Sequence, residues 1–118
     1  MITEDYVSFE TAKLLMESGF DVETSASIKV FAGHNYEVNG EWVTPEKDTI
    51  IPTLQMAMKW LRKMGWFIHI DVIREVSCWT ADIQDIKNDV AIYAVEEEFP
   101  DYESACKAAI KYCLENLI

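Results

Sequence analysis

The sequence predicts an α+β fold: an antiparallel sheet of about four or five strands, with three helices packed mainly on one face, in a single domain over residues 1–118. Three observations predict it. Apolar residues recur at helical spacing between start and stop signals in three places, and period-two alternation fills much of the chain between them. Three of the strand-like runs also follow one another with no helix between them, which calls for an antiparallel meander because parallel neighbours need a long crossover.

The first helix begins after Ser8, whose hydroxyl is a natural cap, and carries Phe9, Ala12, Leu15 and Met16 on its apolar side. Gly19 ends it, and Phe20 is placed to fold back on the last turn. Asp21 to Ala26 is polar and reads as loop, and Ile28 to Phe31 as a strand. Tyr36-Glu37-Val38 and Glu41-Trp42-Val43 flank Asn39-Gly40, two residues that tolerate the positive φ of a two-residue hairpin turn. Thr44 to Ile51 reads as loop, closed by Pro52.

The second helix spans Thr53 to Met64, with Thr53 as cap and Gly65 as stop. Leu54, Ala57, Met58, Leu61 and Met64 form its stripe. The period then changes to two: Trp66, Ile68, Ile70 and Val72 share one face of a strand, and Phe67, His69, Asp71 and Ile73 the other. CWTADI and VAIYAVE are two further strands, with Lys87-Asn88-Asp89 as the turn between them. Pro100 stops the last strand and Asp101 caps the third helix. Tyr102, Ala105, Cys106, Ala109, Ile110, Cys113 and Leu117 make its buried stripe, with Lys107 and Lys111 opposite.

Composition narrows the function classes. Half of the 118 residues are hydrophobic, enough for a core in a chain of this size. The ten Lys and Arg against 21 Asp and Glu leave a formal charge of −11. That field repels nucleic-acid phosphates and anionic membranes, so direct nucleic-acid binding is disfavoured. No run approaches the roughly 20 apolar residues of a membrane span, and MITEDYVSFE does not resemble a secretion signal. Three sparse cysteines, Cys78, Cys106 and Cys113, do not form a disulfide framework and read as small buried side chains in a reducing cytoplasm.

Three blocks, YVSFETAKLLMESGFD, PTLQMAMKWLR and DYESACKAAIKYCLENLI, resemble in content and order an uncharacterised family of small proteins found in Bacteroides genomes and their phages. The resemblance implies a phage or prophage setting and a shared fold. It implies no activity, because its matching residues are helix caps and helix core.

Chemistry-bearing constellations are sparse. His69 and Asp71 sit two apart on one strand face, a half-site with no third metal ligand in view. They are also where an enzymatic site would have to form. Cys78 beside His69 is the one nucleophile–base pairing to consider. A turn at Arg74-Glu75-Val76 places Cys78 on the opposite face, with Ile70 and Val72. The acids Asp82, Asp85, Asp89 and Glu96 to Glu98 read as a solvated edge, because QDIKND lacks the glycine and spacing of a calcium loop. There is no glycine-rich phosphate loop, and no cofactor is expected.

One stretch stands out, MAMKWLRKMGW. No acid occurs between Asp48 and Asp71, and Lys59, Arg62 and Lys63 cluster there around Trp60. On a helical projection the three cations lie away from the core stripe. Met56 and Trp60, four apart, make a second ridge that either the chain itself or a partner covers. The sequence therefore favours a non-enzymatic interaction module with Met56, Lys59, Trp60, Arg62 and Lys63 as its contact surface. The partner is a protein, and a homodimer is one version, its cationic rim meeting an acidic edge of its twin. The alternatives are an acidic mimic of nucleic acid that occupies a DNA-binding protein, and an enzyme with a site near His69 and Asp71.

Overall fold

In a computed structural model the protein is described over residues 5–22 and 27–118, the side chains of 93–96 excepted. Among the described residues the chain forms α1 (Phe9–Glu17), β1 (Ser27–Val30), β2 (Tyr36–Val38), β3 (Glu41–Val43), β4 (Thr49–Pro52), α2 (Leu54–Lys63), β5 (Trp66–Ile73), β6 (Cys78–Asp85), β7 (Val90–Phe99) and α3 (Tyr102–Tyr112). A π-helical turn over Cys113–Leu117 follows. The class is α+β and every strand pairing is antiparallel. The strands divide among three sheets, β1-β4, β2-β3 and β5-β6-β7, rather than forming one sheet under three helices. The chain falls into two compact units, one ending at Ala57 and one beginning at Met58.

In the first unit α1 is set by its ends. The Ser8 hydroxyl accepts from the Thr11 N–H at 3.1 Å. At the other end Phe20 N–H donates to Leu15 O and Gly19 N–H to Met16 O, with Gly19 at φ 104°. This paired closure reverses the chain at Gly19, and Phe20 and Leu15 are both buried. Strand β4 lies in a stretch expected to be loop. It pairs with β1 from Ser27↔Pro52 to Val30↔Thr49. Pro52 suggested a break, yet as the last strand residue it forfeits only a donor. Its carbonyl accepts from Val7 N–H at 3.0 Å, and Tyr6 bridges Thr53. Ile51, Val30, Leu15 and Val7 form the core here. The polar stretch expected as loop after α1 falls mainly on 23–26, outside the described residues.

The hairpin β2-β3 forms in the expected register, Tyr36↔Val43 and Val38↔Glu41. Asn39 and Gly40 take φ 51° and 84°, the paired positive values of a type I′ turn. The hairpin is tied at both ends. At its tip the Asn39 amide donates to the Val7 carbonyl at 3.2 Å and to that of Tyr6 at 3.4 Å. At its base Gly33 N–H donates to Pro45 O, Ala32 N–H to the Asp48 carboxylate, and the Thr44 hydroxyl to Asn35.

Helix α2 starts in the first unit and ends in the second. The buried Thr53 hydroxyl accepts from Met56 N–H, and Leu54, Ala57, Met58 and Leu61 are buried as the periodicity required.

In the second unit β5, β6 and β7 form the expected meander. Each connection holds four residues, since Ile73 pairs Cys78 and Asp85 pairs Val90. The last residue of each, Ser77 and Asp89, sits at φ 53°. The Asp85 carboxylate accepts from the Lys87 and Asn88 backbone N–H groups and from the Asn88 side chain, which fixes the second turn. Asp101 caps α3 through Ser104 N–H at 2.7 Å. Helix α3 packs on all three strands of this sheet. Ala105, Cys106, Ala109 and Ile110 meet the face that carries Ile68, Ala81 and Ile83, and Trp79 meets the Tyr102 ring edge-on at 5.7 Å. The small residues of α3 allow that close approach. At Cys113 the helix widens, and the phase shift buries Leu114, a residue outside the expected stripe.

Candidate functional site

The five residues of the expected contact surface all lie on α2 or directly on its flank of charge. Lys59, Arg62 and Lys63 are exposed, whereas Met56 and Trp60 are half-buried. Among the described residues the three cations have no ion-pair partner, although the chain carries 21 acids; the ion pairs formed are Lys13 with Glu10 and Lys111 with Glu115. Among the described residues, then, nothing compensates three positive charges that stand within five positions of one helix.

His69 and Asp71 lie where the alternation put them, on the face of the meander away from α3, and both are exposed. Asp82 stands directly across from His69, and Asp71 accepts from the N–H of Val72. Among the described residues no three His, Cys, Asp or Glu side chains converge as metal ligands.

The reading of Cys78 needs correction. The turn has four residues, not three, so Cys78 pairs with Ile73 and shares the face of His69. Four residues of strand, roughly 13 Å, still separate the two along the sheet. Cys78 is half-buried rather than core, and partial desolvation together with the Glu98 carboxylate beside it raises its pKa. Burial pushes the Cys106 thiol up to about 11, with a smaller opposing effect from a Tyr102 hydrogen bond, and the Cys113 thiol up to about 12. At neutral pH these thiols are protonated and poor nucleophiles.

A cavity of about 530 Å³ lies in the first unit, between α1 and the segment joining β3 to β4. Phe9, Met16 and Val43 give it apolar wall, while Glu10, Lys13 and Lys47 mix both charges at its rim.

Sequence reasoning centred on Trp60 and passed over Trp42. Trp42 is 73 % exposed, more than any other large hydrophobic residue described. The signal was present in the hairpin register. Tyr36, Val38 and Val43 share the partly covered face, so Trp42 must point the other way, directly across from Glu37. Among the described residues the Glu37 carboxylate and the Trp42 indole N–H have no hydrogen-bond or ion-pair partner.

In comparisons with known proteins, no family model, no curated protein and no solved structure matches the chain. Among the described residues no helix is long and apolar enough to cross a membrane.

Proposed function

We propose that the chain is a small, non-enzymatic protein-interaction module of the cytoplasm, with the outward side of α2 as its contact surface. One observation carries this reading: Lys59, Arg62 and Lys63 stand exposed on one helix of a strongly acidic protein, with no ion-pair partner among the described residues. With no carboxylate from the described residues against them, they are open to the carboxylates of a partner, and such complementarity governs association rate and register. Met56 and Trp60 supply apolar area beside the cations, a combination suited to the centre of an interface. The resemblance of the three helical blocks supports a phage or prophage setting for this role.

The test is affinity capture from bacterial lysate, supplemented with a differently tagged copy of the chain, using wild type and the Lys59→Glu/Arg62→Glu variant. A partner held by wild type, released by added salt and absent from the variant is the expected result. Equal retention by both proteins would remove α2 from the function.

A further inference from the structure

We propose that the chain self-associates by docking the Glu37–Trp42 pair of one copy onto the Lys59–Arg62–Lys63 face of α2 in a second copy. The proposal rests on the reading of α2 as a contact surface and names what α2 contacts. An acidic partner would satisfy α2, and a cationic one would satisfy the hairpin. This chain presents both halves, and each half is unpaired among the described residues of its own copy.

The hairpin half is built for presentation. Trp42 is 73 % exposed, yet its strand is held at the tip by Asn39 and at the base by the Gly33–Pro45 and Ala32–Asp48 hydrogen bonds. An aromatic on a fixed strand loses little freedom when it is covered. The acid beside it is equally fixed, because Glu37 and Trp42 are directly opposed across the hairpin.

The two halves match in chemistry and in spacing. An ammonium over an indole face is a cation–π contact, a guanidinium can pair a carboxylate through two parallel hydrogen bonds, and Trp and Arg are among the residues most enriched where interface energy concentrates. Cross-strand neighbours have Cβ atoms about 5 Å apart. Helix neighbours three or four apart, such as Lys59 with Arg62 or Lys63, are separated by about 5–6 Å. Glu37 can therefore meet Arg62 while Trp42 covers Lys59. Two bodies of charge −11 repel each other as wholes. At physiological ionic strength the Debye length of about 8 Å screens that repulsion more than it screens pairs in contact.

Charge reversal decides the matter. Wild type, Glu37→Lys, Arg62→Glu and an equimolar mixture of the two variants are compared by light scattering behind size exclusion across a concentration series. Wild type is expected at a multiple of the 13.6 kDa chain mass. Each variant alone is expected as a monomer, because residues 37 and 62, which meet in the contact, then carry like charge. The mixture is expected to regain the assembly, since Lys at 37 meets Glu at 62 in one contact and the native pair forms the other. That recovery also shows that both variants are folded. Trp42→Ala is expected to weaken association about tenfold or more. A wild type that is monomeric throughout, or a mixture that stays monomeric, overturns the proposal. If wild type is monomeric but Arg62→Glu still abolishes capture of a lysate protein, the docking of a second copy fails while α2 stands as a contact surface. If Arg62→Glu changes neither readout, both readings fail.

Discussion

Asn39 joins the turn chemistry of the hairpin to its attachment, and substitution can separate the two. Its backbone sits at φ 51°, and its amide donates to the carbonyls of Val7 and Tyr6 at 3.2 and 3.4 Å. Asn39→Gly keeps the turn and removes the donors. The shorter, part-buried bond is worth about 1 kcal/mol and the longer, exposed one less; relief of backbone strain returns a few tenths, so the net loss should be about 0.5–1 kcal/mol. Asn39→Ala loses the same bonds and adds a left-handed alanine, a further cost of roughly 1 kcal/mol, for a total of about 2 kcal/mol. Asn39→Asp retains the conformational tolerance but turns a carboxylate toward two carbonyl oxygens, and should fall between the other two or below both. Urea unfolding followed by circular dichroism gives the order through the midpoint at constant slope. Asn39→Gly at or above wild-type stability would show that the tie to Val7 and Tyr6 contributes nothing, and the fixed presentation of Trp42 would lose its main support.

Three further outcomes are expected. Hydrogen bonds from Asn88 hold the Asp85 pKa below the usual carboxylate range, and those from Ser104 do the same for Asp101. The stabilisation linked to these depressed values is complete above the unfolded-state carboxylate pKa and is lost as pH falls through the folded values, so acid unfolding profiles of Asp85→Asn/Asp101→Asn should have a flatter acid limb than wild type. A thiol reagent at mildly alkaline pH should modify Cys78 in the native protein well before Cys106 and Cys113, and all three at once in denaturant; equal native rates would contradict the burial of α3. Ile110→Ala empties a fully buried site and should cost about 2–5 kcal/mol in urea unfolding.

What the sequence made legible was mostly local. Ser8, Gly19 and Phe20 each bond a residue no more than five positions away, and Asn39-Gly40 sets its own hairpin, so each could be read without knowledge of the rest. The pairing of β1 with β4 depends on partners some twenty residues apart, and no local signal announces it. Pro52 pointed the wrong way, because a proline ends a strand as readily as it forbids one. The face of Cys78 was misread through a single residue of turn length, which inverts every side chain beyond it. The α2 cations lie outward as periodicity required. Trp42 escaped notice although Val38 and Val43 had already fixed its direction.

The order of the meander and its helix along the chain has a consequence during synthesis. The strands β5, β6 and β7 close on one another through connections of four residues, so the sheet can form as soon as it leaves the ribosome. Its cover, α3, follows it in sequence. Until α3 emerges, Ile68, Ala81 and Ile83 face water on a sheet that is otherwise complete. At about 5–20 residues per second the interval is on the order of a second. A chain stopped just before Tyr102 would make that interval permanent, and should accumulate as an insoluble product while the chain a helix longer stays in solution.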